Sequence, residues 1–374
     1  MRWAWAEVNL DAIAHNVRLI REVVAPSAVW AVVKADAYGH GAVPVARAAL
    51  SAGAEGLCVA LVSEGVELRA AGLTAPILIL SQSPSEEFDL VVSHQLTPTV
   101  YCGESIEALA QAAARAGQAD YPVHLKIDTG MHRVGAAPEH AVELADAIAT
   151  HPQLELQGVF THLAMADQPD AASNDRQIAL FNEVVDTLVA AGHEPPLVHL
   201  ANSAGALGIA ASRCGLVRLG IAMYGAEPGP GVAALCAELR PALSLRAKVS
   251  FVKRVAAGEG ISYGLRHVFT EATNVATVPL GYADGVPRRL FDVGGEVLIG
   301  GVRRRIVGVV TMDQLMVDCG NDAVSLGDEV VLIGRQTHEA LSGEIRAEEW
   351  AARLGTIAYE ILCGISQRIE RHYP

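Results

Sequence analysis

Lys34 closes an apolar run, Ala31-Val-Val-Lys34, and is followed by Tyr38, Gly39, His40 and Gly41. A lysine at the end of a buried strand has either left the sheet for solvent or is put to use there, because burial disfavours the charged ammonium. A desolvated lysine is also the kind that forms Schiff bases. Taken alone, Lys34 fits the solvent reading better. Its company points the other way. Lys126-Ile-Asp128-Thr-Gly130-Met-His-Arg133, Thr161-His162, Ala201-Asn202-Ser203-Ala-Gly205 and Arg218-Leu-Gly220-Ile221-Ala-Met-Tyr224-Gly225 each follow an apolar run. Main-chain N–H groups at Ser203, Gly220 and Ile221 could cradle an anion, helped by a helix N-terminus. Structural roles account for some of these residues singly: His162 as a satisfied core histidine, His199 as an inner-layer residue, Ser203 as a helix N-cap. A metal site lacks its spacing, since neither HxH nor HExxH occurs.

Something must bring these groups to one place. Between residues 11 and 225, short β-branched runs alternate with longer Ala/Leu-rich runs of helical period. Eight candidate strands stand out: Val29–Lys34, Leu57–Val62, Pro76–Ser81, Leu96–Val100, Pro122–Ile127, Leu156–His162, Leu197–Ala201 and Gly215–Leu219. Helical stretches such as Ser105–Arg115, Pro138–Ile148 and Asp175–Ala190 lie between them. This is the arithmetic of a (β/α)8 TIM-type barrel, whose chemistry collects at the C-terminal strand ends. An open doubly wound sheet is the alternative, and no GxGxxG after strand one supports it. The helix Asp11–Val24, with Ile13, Val17, Ile20 and Val24 at helical spacing, is expected to close the ring beside strand eight.

After the linker Gly225-Ala-Glu-Pro-Gly-Pro-Gly231 the texture becomes strand-like, at 242–255, 274–280, 296–318 and 328–334, with a late helix at 346–354. The expected organisation is a barrel over residues 8–230 and a smaller, mainly-β domain over 231–374, with residues 1–7 (Trp3 and Trp5 among them) joining the latter as an extra strand. Lys and Arg number 28 against 42 Asp and Glu, a net charge of −14. That balance argues against nucleic acid and anionic membrane as partners. No run is long and apolar enough for a membrane span, and the N-terminal residues lack the apolar core of a secretory signal. Six scattered cysteines without CxxC read as reduced thiols, so the chain is expected in the cytoplasm.

A lysine, an anion site and an arginine at one barrel mouth suggest pyridoxal phosphate. With these motifs the chain resembles the bacterial alanine racemases, barrel-type (fold type III) pyridoxal-phosphate enzymes. The resemblance runs end to end through Val33-Lys34-Ala-Asp-Ala-Tyr38-Gly-His-Gly41, Asp128-Thr-Gly-Met-His-Arg133, Ala201-Asn-Ser203, Arg218-Leu-Gly-Ile221, Met223-Tyr-Gly225, Ile261-Ser-Tyr263-Gly264, Gly281-Tyr282-Ala-Asp-Gly285, Met312-Asp313-Gln314 and Tyr359-Glu360. It implies that Lys34 anchors the cofactor and acts as one base, and that Tyr263 is the opposite base. Tyr38, Ser203, Gly220, Ile221 and Tyr359 would hold the phosphate. Arg218 would face the pyridine nitrogen with His162 bonded to it, and Arg133 and the Met312 main chain would take the substrate carboxylate. Tyr263 and Met312 would come from a partner subunit, so the resemblance implies a homodimer with shared sites. The implied reaction interconverts L- and D-alanine, a source of D-alanine for peptidoglycan.

Tyr282, with Tyr359, would narrow the entrance to suit a methyl-sized side chain. Lys126 matches a lysine that is carbamylated in some relatives; a bare ammonium would repel Arg133, whereas a carbamate would pair with it. A tyrosine base must work below its ordinary pKa of about 10, which calls for nearby positive charge, expected from Arg218 through His162. Asp36 stands where Asn is common in the family, and Thr311 where Cys is frequent. Rival readings are an amino-acid decarboxylase of the same fold type, a non-catalytic cofactor carrier and a racemase of broad specificity. The second domain with Tyr263 argues against the carrier.

Overall fold

The computed structural model describes residues 2–374. The chain separates into two compact units, one made of residues 13–37 and 42–240, the other of the chain up to Ala12, residues 38–41 and residues 241–374.

The first unit is the eight-stranded parallel barrel, its described strands being Ala28–Val32, Gly56–Val59, Ile77–Ile79, Thr99–Val100, Tyr121–Lys126, Leu154–Phe160, Leu197–His199 and Leu216–Leu219. Two four-stranded ladders meet at two seams. At one, Ile79 N–H donates to the Thr97 carbonyl (2.9 Å) and Thr97 N–H to Ile77 (2.8 Å). At the other, Gly215 N–H reaches Val198 (3.2 Å) and Arg218 N–H reaches Ala201 (3.0 Å). Strands one to three and eight are buried almost throughout, as parallel strands covered on both faces must be. The helix Leu10–Val24 buries Ile13, Val17, Ile20 and Val24. Its Asn16 amide donates to the Met223 and Arg240 carbonyls, both at 2.9 Å, which fixes it beside the exit of strand eight. The same bonds keep the chain with the first unit as far as Arg240.

The second unit is mainly β. Its sheet runs Phe251–Val255, Thr273–Val278, Leu315–Asp318, Val302–Val307, Glu296–Ile299, Glu329–His338, Leu243–Lys248, Ala4–Val8 and Glu370–His372, with Leu341–Ile345 paired to Glu329–His338. The strand Ala4–Val8 is antiparallel to Leu243–Lys248 and parallel to Glu370–His372. Two helices, Ala347–Leu354 and Ala358–Cys363, complete it. No helix among the described residues is long and apolar enough to cross a membrane.

Candidate active site

Barrel strand one ends at Val32, two residues before Lys34. The Val33 N–H still reaches the Cys58 carbonyl of strand two (2.9 Å), and the chain then coils through Lys34–Gly39. The coil is left-handed: φ is 52°, 51°, 52° and 54° at Ala35, Asp36, Ala37 and Tyr38. Each L-residue there sets its Cβ against a carbonyl at about 1–2 kcal/mol, so the turn must be held by its surroundings. Glu64 does this. Its carboxylate accepts the Ala35 N–H at 2.6 Å while also taking those of Ala60 and Leu61, at 2.7 and 3.1 Å. Asp36 Oδ1 accepts from Ala42 N–H (2.8 Å), at the first residue of the helix Ala42–Ser51.

Arg218 is buried at the end of strand eight. Its Nη2 donates to the Thr161 and Leu200 carbonyls, both 2.9 Å, and to His162 Nδ1 at 3.2 Å. Its Nη1 donates to His199 Nδ1 at 2.7 Å. Arginine has no acceptor, so both imidazoles accept at Nδ1 and carry their hydrogen on Nε2. His199 Nε2 in turn meets His124 Nδ1 at 3.1 Å. His199, buried as an inner-layer residue, thereby links Arg218 to His124. Burial, then the Arg218 charge, holds His162 and His199 well below the usual histidine range, and burial lowers His124 to about 4. All three are neutral. Burial lowers Arg218 itself to about 10. The Arg218 Nε–H has no acceptor among the described residues.

Asn202, not Ser203, caps the helix Ser203–Gly208, its side chain accepting from Gly205 N–H at 3.0 Å. Ser203 Oγ instead accepts from Gly220 N–H (2.9 Å) and Ala222 N–H (3.3 Å), which commits the hydroxyl to donate its own hydrogen elsewhere. The Gly220 N–H, expected to face an anion directly, is thus engaged by Ser203. Ile221 is buried at the start of the 3-10 turn Ile221–Tyr224. Lys126 is buried and donates to the Leu80 carbonyl at 3.0 Å. Burial first, then the charges of Arg218, Arg133 and Lys34, lower it to about 7. Arg133 is exposed, on the loop that follows Asp128. The Gln177 amide ties that loop to strand six, donating to Thr129 Oγ1 and the His162 carbonyl, both at 3.1 Å. Neither Gln177 nor Glu64 announces itself in sequence: each is one polar residue in an ordinary helix.

The remaining expected site residues belong to the β unit. The Tyr38 and Tyr359 rings lie 6.0 Å apart. Tyr263, Tyr282 and Met312 are exposed, Tyr263 by 73%. The loops of Tyr282 and Met312 are stitched together: Tyr282 N–H donates to the Thr311 carbonyl (2.9 Å) and Ala283 N–H to Met312 (3.0 Å). Buried Asp284 holds the Gly281 N–H at 3.0 Å and pairs with Arg2 at 2.5 Å, while Arg368 pairs with Asp313 at 2.7 Å.

Residues 8–228 match the family model described as alanine racemase, N-terminal domain, and residues 242–373 the one described as alanine racemase, C-terminal domain. An alanine racemase of Symbiobacterium thermophilum is 45% identical over 374 residues, covering 100% of this chain and 97% of its own. The crystal structure of alanine racemase from Bacillus anthracis with bound L-Ala-P is 41% identical, with a TM-score of 0.92, covering 100% of this chain and 95% of that one. A histidine racemase from Leuconostoc mesenteroides is 29% identical, with a TM-score of 0.91, covering 100% and 98%.

Proposed function

Because the chain belongs to the alanine racemase family, we propose that it interconverts L- and D-alanine with pyridoxal phosphate, as a cytoplasmic homodimer supplying D-alanine for peptidoglycan. One observation carries the cofactor. A buried guanidinium has its Nη atoms committed to carbonyls and neutral imidazoles, and its Nε–H is left for an acceptor. That suits an aromatic nitrogen, and the Ser203 hydroxyl, which accepts two N–H groups and still has its own hydrogen to donate, suits a phosphate oxygen.

Pyridoxal phosphate, when bound, supplies the sink for the electron pair left as the Cα–H bond breaks. Lys34 would anchor it; Tyr38, Ser203, Ile221 and Tyr359 would hold its phosphate, with the Gly220 N–H fixing the Ser203 hydroxyl. Arg218 keeps its own proton, so it donates a hydrogen bond without protonating the ring nitrogen. His162, held neutral, orients Arg218 without adding charge. The Lys34 amine and the Tyr263 hydroxyl act on opposite faces of the alanine Cα, one taking a proton and the other returning one. Arg133 and the Met312 main chain orient the alanine carboxylate. A Lys126 amine with its pKa near neutrality is the nucleophilic form that adds carbon dioxide, releasing a proton; the resulting carbamate would pair with Arg133. Intact mass should show one added carbon dioxide, and plain lysine would remove that assignment.

Exposure of Tyr263, Tyr282 and Met312 on adjoining loops supports the dimer, since large side chains gathered in the open mark a surface to be covered. In this reading Tyr263 and Met312 serve the barrel of a second copy, and Tyr282 narrows its entrance. Mixing Lys34→Ala with Tyr263→Phe should then regain activity that neither has alone. The decisive experiment follows the optical rotation of L-alanine with purified protein and cofactor, with L-serine, L-lysine and L-histidine as comparisons. Loss of rotation with alanine is expected. An unchanged signal, or preference for a comparison substrate, would overturn the assignment.

A further inference from the structure

Tyr263 stands at the end of a two-stranded ribbon, Gly260–Ile261 against His267–Val268. The root of the ribbon is in the core, where Ile261 packs with Phe269, Val275 and Val307 in a buried cluster. In a continuing strand, residues 261 and 263 would share a face. Here one is buried and the other is 73% exposed. The residue between them makes the reversal. Ser262 has φ 64° and ψ −174°, a region essentially reserved for glycine. The strain continues beyond Tyr263, with φ of 75° at Gly264 and 46° at Leu265.

A serine where glycine would be unstrained has to contribute through its side chain. The Ser262 hydroxyl donates to the Val309 carbonyl at 2.7 Å. The Leu265 N–H closes the turn on the Ser262 carbonyl at 3.1 Å. Gly308, with φ 69°, makes room: a Cβ there would come within 2.6 Å of the Ser262 Cβ and 3.0 Å of the Ile261 carbonyl oxygen. The kink is therefore clamped from the segment that leads into Thr311 and Met312.

We propose that Ser262 is a positioning residue for Tyr263, its hydroxyl bond to the Val309 carbonyl fixing the backbone reversal that aims the phenol. The proposal rests on Tyr263 serving as one of two bases. Glycine can adopt the same backbone without strain but lacks the bond, so Ser262→Gly separates aim from folding. The test uses full-length, cofactor-loaded enzyme and follows loss of Cα deuterium from each alanine enantiomer separately, in Ser262→Gly, Ser262→Ala and Tyr263→Phe. Tyrosine-ring 13C spectra of the full-length chain and its thermal unfolding are read alongside.

Ser262→Gly is expected to slow exchange by about 10²-fold for the enantiomer that Tyr263→Phe impairs more, and far less for the other. The ring signal absent from Tyr263→Phe should move toward that of free tyrosine. The unfolding midpoint should stay level or rise in Ser262→Gly and fall in Ser262→Ala. An unmoved ring signal, or equal slowing of both enantiomers by Ser262→Gly beside an asymmetric Tyr263→Phe, overturns the Ser262 proposal alone. Equal slowing of both by Tyr263→Phe overturns the two-base reading, and this proposal with it.

Discussion

The two proposed bases stand on backbone of the same unusual kind in opposite surroundings. Lys34 begins a left-handed turn at the rim of a barrel, clamped by a carboxylate that takes three N–H groups. Tyr263 follows a left-handed serine at the tip of an exposed ribbon, clamped by one neutral hydroxyl. Charged acceptors make stronger hydrogen bonds than neutral ones. The lysine end is thus pre-set within its own chain, and the tyrosine end is held more lightly. If Tyr263 is covered by a second copy, as proposed, assembly can order it, whereas a lysine that anchors a cofactor has to be in place beforehand.

The widest test of this contrast sets Arg218→Ala against Tyr263→Ala. Both should lose on the order of 10²–10⁴-fold in racemisation. Their stability costs should diverge. Arg218→Ala leaves a cavity and strips the Thr161 and Leu200 carbonyls of a donor, for about 2–5 kcal/mol. Tyr263→Ala removes an exposed ring and should stay within about 0.5 kcal/mol. Urea unfolding of both variants, at a concentration where each is monomeric, measures the difference. Comparable costs would mean that the tyrosine tip is as integral to its fold as the rim is to the barrel.

Lys126 tests the electrostatics of the rim. Its folded pKa of about 7 lies below that of an unfolded lysine, about 10.4. Between those values the unfolded chain binds more protons than the native one, so native stability rises with pH across the window. Below about 7 the buried ammonium imposes its full cost. In carbon-dioxide-free buffer, Lys126→Met should therefore stabilise the protein by a few kcal/mol at pH 6, with the gain fading to nothing near pH 10. A pH-independent gain would place the ammonium in better solvation than its burial indicates. Glu64→Ala comes next in size. It leaves the Ala35, Ala60 and Leu61 N–H groups without their acceptor and should cost about 1–3 kcal/mol, with Glu64→Gln recovering part of it in the same unfolding measurement.

The barrel is legible in the sequence because each strand is a short β-branched run bounded by helical periodicity. The rim is legible because chemistry at strand ends leaves polar residues after apolar runs, as at Lys126, His162 and Arg218. The clamps are not. Ala35-Asp-Ala-Tyr38 carries no mark of left-handedness apart from the glycines that follow, and right-handed coil is the default for each of these residues. Ser262 is equally silent, since the usual sign of its conformation is glycine. Ser203 and Asn202 are both good caps by type, and only geometry assigns the cap to Asn202 and the amides that follow strand eight to Ser203. Leu341–Ile345 and Glu370–His372 escape notice because each is a short edge strand without an apolar run, stabilised by pairing rather than by its own pattern.

Asp36 gives the finest test of how the lysine turn is held. Two terms oppose each other in Asp36→Asn. The amide oxygen can still accept from the Ala42 N–H, and asparagine tolerates a φ of 51° better than most side chains. Against that, a carboxylate at the first turn of Ala42–Ser51 interacts with the helix dipole by roughly 0.3–1 kcal/mol, and the amide gives that up. The expected outcome is a change within about 0.5 kcal/mol in urea unfolding, shrinking further in high salt as the dipole interaction is screened. A large loss would show that the turn depends on the charge at Asp36, so that two carboxylates, and not Glu64 alone, hold Lys34 in place.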